Sequence, residues 1–86
     1  MVSISVSKQF GIAVKRLRLN SGLSQERLAE LSKLHPTYIG MIERGMRNPT
    51  LDAAAKIAVA LNMSLASLIS EAVGEIPATK GKRDGS

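Results

Sequence analysis

The 86-residue chain offers little to a catalyst: one histidine, no cysteine and seven carboxylates. His35 has no second imidazole or thiol at metal-ligand spacing, so a zinc site has almost nothing to build on. No nucleophile–base pair can be assembled either, and an enzyme is not expected. What the chain does offer is a run of hydrogen-bonding and cationic side chains from Gln25 to Asn48, in a molecule of net charge +5. That charge suits an anionic partner: nucleic acid, an acidic membrane surface or an acidic protein. Gln25 has the clearest residue-level role. It follows Ser24, a helix cap, so its side chain and the free amides of the first turn can hold a phosphate.

These side chains must be positioned by helices. Phe10, Val14 and Leu17 fall on one face, which predicts helix one over Lys8 to Asn20 with Ser7 as its cap and Gly22 ending it. Helix two spans Gln25 to Ser32, with Leu28 and Leu31 inward. Pro36 suits the first position of helix three, which runs to Arg44 with Ile39 and Ile42 inward and ends at Gly45. Asn48-Pro49 is a turn signal. Thr50 caps helix four, where Leu51, Ala54, Ala58 and Leu61 share a face beside Ile57. Ser64 caps helix five, with Leu65, Leu68, Ile69 and Val73 apolar. The fold class is all-α, a compact five-helix bundle.

Three segments follow. Residues 1–7 alternate apolar and serine residues, a period-two pattern, and read as a flexible arm. Pairing with a symmetry mate and extension of helix one are the other readings. Residues 8–73 form the domain. Residues 74–86, rich in Gly, Pro, Lys and Ser, read as a disordered basic tail. Met1 to Phe10 lacks the apolar run of a signal peptide, and no stretch is long and apolar enough to span a bilayer, so a cytoplasmic location is expected.

A two-turn helix, a tight link and a second short helix make a helix-turn-helix layout, which by itself is a weak signal. The residues sharpen it: Gly22-Leu23-Ser24-Gln25 leads in, Ile42-Glu43-Arg44-Gly45 leads out, and Asn48-Pro49 follows. Together they resemble the Cro/repressor-type helix-turn-helix family, the phage repressor-like or xenobiotic-response-element group, over roughly Phe10 to Ile69. The Thr37-Tyr38-Ile39 run resembles the controller proteins of restriction–modification systems.

The resemblance implies a lambda-repressor-like bundle and a transcriptional regulator, with helix three in the major groove of double-stranded DNA. His35, Pro36, Thr37 and Met41 are then the candidate base readers. Thr37 can exchange a hydrogen bond or offer a methyl group, Met41 can meet a thymine methyl, and Pro36 has no amide to donate. His35 is a reader or simply a cap; Met41 and Tyr38 are DNA contacts or partly buried core residues. This surface is poor in Arg, Asn and Gln, so DNA shape would carry part of the specificity. Phosphate contacts fall to Gln25, Tyr38, Arg44, Arg47, Asn48 and Lys33. An arginine late in helix one and a glutamate late in helix three, here Arg18 and Glu43, are implied to form an ion pair.

Two positions depart from the family pattern. Lys33 stands where glycine is usual, and a left-handed backbone there would cost on the order of 1 kcal/mol. Ser32 replaces an apolar residue and should bond back to a helix-two carbonyl. A homodimer on a near-palindromic operator is expected, with Met63, Ile69, Ala72 and Val73 at its interface. No cofactor, metal or small-molecule ligand is evident. The alternative function is an antitoxin-like protein that binds a toxin and regulates its own gene.

Overall fold

The computed structural model describes residues 5–73. Within them the chain forms α1 (Val6–Asn20), α2 (Gln25–Ser32), α3 (Pro36–Glu43), α4 (Leu51–Ala60) and α5 (Leu65–Val73), with no strand. Residues 1–4 and 74–86, which carry most of the expected arm and all of the basic tail, lie outside the described residues. Among the described residues no single helix is long and apolar enough to cross a membrane.

Each helix begins where a side chain accepts a hydrogen bond from one of its free amides. Ser24 Oγ takes the Arg27 amide at 2.9 Å, Thr50 Oγ1 that of Ala53 at 3.0 Å, and Ser64 Oγ that of Ser67 at 3.0 Å. Such a cap contributes about 1 kcal/mol. The cap of α1 is Ser5, not Ser7: its Oγ accepts from the Lys8 amide at 3.2 Å. Val6 and Ser7 therefore belong to the helix, whereas the alternating pattern assigned them to an arm. Starting at the earlier serine gains further backbone bonds, among them Gln9 N–H to Ser5 O at 3.0 Å. Once a helix is nucleated, each added residue contributes such a bond.

The core is assembled from one arc of every helix. Val14, Leu28, Ile39, Ile42, Ile57 and Leu68 are fully buried, each worth roughly 1.5–3 kcal/mol of apolar burial. α1 lies against α3 and α5, α2 packs on both α3 and α4, and α4 contacts α5. Two leucines expected inside face out. Leu31 is exposed because Leu28, Ala29 and Ser32 fill the inner arc of α2. Ser32 manages this with its hydroxyl, which donates to Leu28 O at 2.7 Å. Leu51, the first residue of α4, is 76% exposed. The buried arc of that helix is centred on Ile57, with Ala54, Ala58 and Leu61 around it, and Leu51 falls outside.

Candidate nucleic-acid interface

The α2–α3 turn is built on Lys33, which caps α2 in the left-handed conformation (φ 60, ψ 37). The reversal lets the Leu34 amide reach back to Ala29 O at 3.0 Å. α3 then begins at Pro36 with His35 as its cap, the imidazole Nδ1 accepting the Thr37 amide at 3.1 Å. The histidine ring nitrogen is thus engaged with the helix it starts.

Helical periodicity divides α3 into two faces. Ile39, Ile42 and Glu43 are buried. His35, Pro36, Thr37 and Arg44 are exposed, and Tyr38 and Met41 are half-buried. Thr37, Met41 and Arg44 follow one another at i, i+4 and i+7, so they form a stripe along the outer side. Tyr38 lies beside its first turn and also packs against the core.

Three charged or polar groups tie this helix to its scaffold. Arg18 Nε donates to Glu43 Oε2 at 2.7 Å and Arg18 Nη2 to Glu43 Oε1 at 3.1 Å, a bidentate pair between α1 and α3. Arg18 Nη1 also donates to Leu23 O at 2.8 Å, which holds the chain at the mouth of α2. Gln25 Nε2 donates to Glu43 Oε1 at 2.9 Å. The glutamine expected to bind phosphate therefore gives one of its two side-chain N–H donors to the ion pair. Its oxygen lies against Gly40, on the side of α3 where the Arg44 guanidinium also approaches that glycine.

Gly11 was not singled out by sequence reasoning, yet it sets how close α1 comes to α3. A β-carbon there would run into the Ile42 carbonyl oxygen and lie 2.9 Å from that of Glu43. Backbone meets backbone at this crossing, directly beneath the end of α3. The only signal in the sequence is a glycine inside a helix, where it costs ~1 kcal/mol relative to alanine and so calls for a packing reason.

Beyond α3, Gly45 turns the chain with φ +73, and Met46 N–H bonds Met41 O at 2.8 Å. The loop then runs back so that the Arg47 guanidinium sits 5.2 Å from the centre of the Tyr38 ring. Gln25, Thr37, Tyr38, Met41, Arg44 and Arg47 are thereby gathered around the exposed side of α3. Two expected phosphate contacts lie elsewhere. Lys33 lines a hollow between α2 and α4 with Leu31, Lys56 and Val59. Asn48 lines another, with Val6, Phe10, Leu51 and Ile69.

A helix exposing its first turn, braced from behind by an ion pair and flanked by arginines, matches the groove-reading half of a helix-turn-helix. Comparison with known proteins agrees. The family model described as Helix-turn-helix matches residues 14–68. The chain is 50% identical over 56 residues to control protein C.SmaI of Serratia marcescens, covering 65% of this chain and 67% of that one. It is 48% identical over 61 residues to control protein C.BamHI of Bacillus amyloliquefaciens, covering 70% and 75%. Among solved structures it is similar to the restriction–modification controller protein C.AhdI from Aeromonas hydrophila, with a TM-score of 0.70 and 44% identity over 72% of this chain and 94% of that one. The chain belongs to the Cro/C1-type helix-turn-helix family and is a sequence-specific DNA-binding transcriptional regulator, not an enzyme.

Proposed function

We propose that this regulator is a restriction–modification controller acting in the cytoplasm, which binds a near-palindromic operator as a homodimer. The observation that carries the reading is the exposed first turn of α3, with Thr37 outward and Arg44 and Arg47 on its flanks. In that docking Thr37, Met41, Pro36 and His35 meet base edges. Gln25, Tyr38, Arg44 and Arg47 meet the sugar–phosphate backbone, which fixes register and contributes most of the salt-dependent affinity; Asn48, on the hollow with Val6 and Ile69, stands apart from them. Lys33, on the hollow toward α4, is the least favourably placed of the phosphate candidates.

Self-association is supported by apolar surface that is exposed among the described residues. Val6, Leu51 and Ile69 are exposed around one hollow beside the α3–α4 loop. Ile69 stays in the interface set. Met63 and Ala72 pack in part against the subunit's own core, which leaves them a smaller share of a dimer face. Val73 is half-buried at the end of α5. A two-fold pairing here would set two α3 helices about one DNA turn apart, some 34–36 Å.

Selection of bound sites from random DNA, followed by footprinting, tests the reading. Enrichment of an inverted repeat with half-sites roughly 10 base pairs apart is expected. Recovery of unrelated sequences with no shared half-site would overturn it, and an operator lying far from any restriction or methylation gene would remove the controller assignment.

A further inference from the structure

We infer, on the docking proposed above, that Arg47 is a positioning residue for Tyr38: the loop arginine lies over the tyrosine ring and holds it beside Thr37, so the backbone grip of Tyr38 fixes the register in which Thr37 meets a base, and a backbone-gripping residue also sets sequence discrimination.

The geometry points there in three steps. Residue 47 is nine positions after residue 38, and the reversal at Gly45 is what brings them together. That reversal is pinned: a β-carbon on Gly45 would meet the Lys8 backbone of α1 at 3.2 Å, and the Met46 amide is fixed to Met41 O. The loop that carries the arginine thus leaves α3 seated against α1 at Gly45 and bonded to α3 at Met46. Second, 5.2 Å from guanidinium carbon to ring centre is within cation–π range. Among the described residues no carboxylate pairs with Arg47, and its guanidinium lies over the ring. Third, a guanidinium carries five N–H donors in a planar fan, so one that sits over a ring still has donors to spare. Stacking and phosphate bonding are compatible in one arginine, as they are not in a point-charge ammonium.

Tyr38 itself is poised between two environments. It packs partly on the core and is partly open beside Thr37. Without the arginine, its ring has core contact on one side and water on the other. With the arginine over it, the phenol is presented in one orientation before DNA arrives, and less rotamer freedom is lost on binding.

The chain has one tyrosine and no tryptophan, so ultraviolet-excited emission above 300 nm reports on Tyr38 alone. In the free protein, Arg47→Ala should change the Tyr38 lifetime and speed its fast depolarisation. On DNA, discrimination is the ratio of affinities for the selected site and a scrambled duplex at one salt concentration. Arg47→Ala should lower that ratio about two- to five-fold in the presence of Tyr38, and leave it unchanged in the Y38L background. Tyr38→Phe keeps the ring and tests the same coupling should the leucine variant unfold; in that background Arg47→Ala should still lower the ratio. An unaltered emission signal, or an equal loss on both DNAs with the ratio intact, overturns the inference. Thr37→Ala separates the two levels. If it lowers the ratio and Arg47→Ala does not, only the positioning role fails; if neither does, the docking fails and the positioning role with it.

Discussion

Gln25 and Glu43 are joined across the helix-turn-helix, the first residue of α2 donating 2.9 Å to the last residue of α3. The carboxylate they share with Arg18 is almost dry: the two ionic side chains are 8% and 2% exposed. One glutamate therefore sets the position of α3 relative to both α1 and α2. Glu43→Gln keeps the shape and removes the charge, which strands Arg18 in the interior. A loss of up to about 3–5 kcal/mol in urea unfolding is expected. Gln25→Ala removes one hydrogen bond to a charged group and should cost about 1.5–3 kcal/mol at most. A glutamine variant within 1 kcal/mol of the parent would show that the pair does not brace the fold.

The backbone crossing at Gly11 leads to a second expectation. Gly11→Ala swaps in a better helix former, yet the added methyl has nowhere to go except against the Ile42 and Glu43 carbonyls. The helices must separate, and overpacking of this kind costs roughly 1–3 kcal/mol. Thermal unfolding should show a clear fall, accompanied by weaker operator binding in whatever fraction stays folded. A stabilised variant would contradict the close approach.

On the DNA side, Thr37→Ala should weaken the preferred site by about 1 kcal/mol or more and leave scrambled DNA nearly unaffected. Arg47→Ala should reduce affinity on every sequence and lower the slope of log affinity against log salt by about one unit. Paired salt titrations read both. A threonine variant that loses equally on both duplexes is no reader, and an unchanged salt slope for the arginine variant removes its phosphate contact.

The uncovered apolar hollow makes Ile69 the sharpest probe of self-association. At 37% exposed it can accept a charge without opening the core. Ile69→Glu should shift sedimentation at micromolar concentration from dimer to monomer while the helical circular dichroism is retained. If the variant sediments as the parent does, the interface lies elsewhere.

Much of this architecture is legible in local chemistry. Ser24, Thr50 and Ser64 start their helices as read, because a cap needs only a side chain and an amide three residues on. The Ser32 hydroxyl bonds back within four residues as well, whereas the left-handed turn at Lys33 is legible only through the resemblance, from the glycine usual at that position. The start of α1 is harder to read, because Ser5 and Ser7 are equivalent as isolated caps and only the extra helical bonds favour the first. Leu31 and Leu51 look like core residues because their apolar character is plain while the centre of each buried arc depends on neighbouring helices. The Gln25–Glu43 bond, the Gly11 crossing and the Tyr38–Arg47 contact join residues 18, 31 and 9 positions apart. Nothing in a single chain's spacing announces such meetings.

The two faces of α3 bear on how such a protein can change over generations. Thr37, Met41 and Arg44 look outward, while Ile39, Ile42 and Glu43 hold the helix in place. Substitutions on the outer stripe need not disturb the interior, since surface changes away from special contacts usually alter stability by within about 0.5 kcal/mol. A lineage could exchange its operator for another in small viable steps, with each intermediate still folded. Tyr38 is the exception, because it belongs to both faces at once, and divergence there would have to carry its loop arginine along.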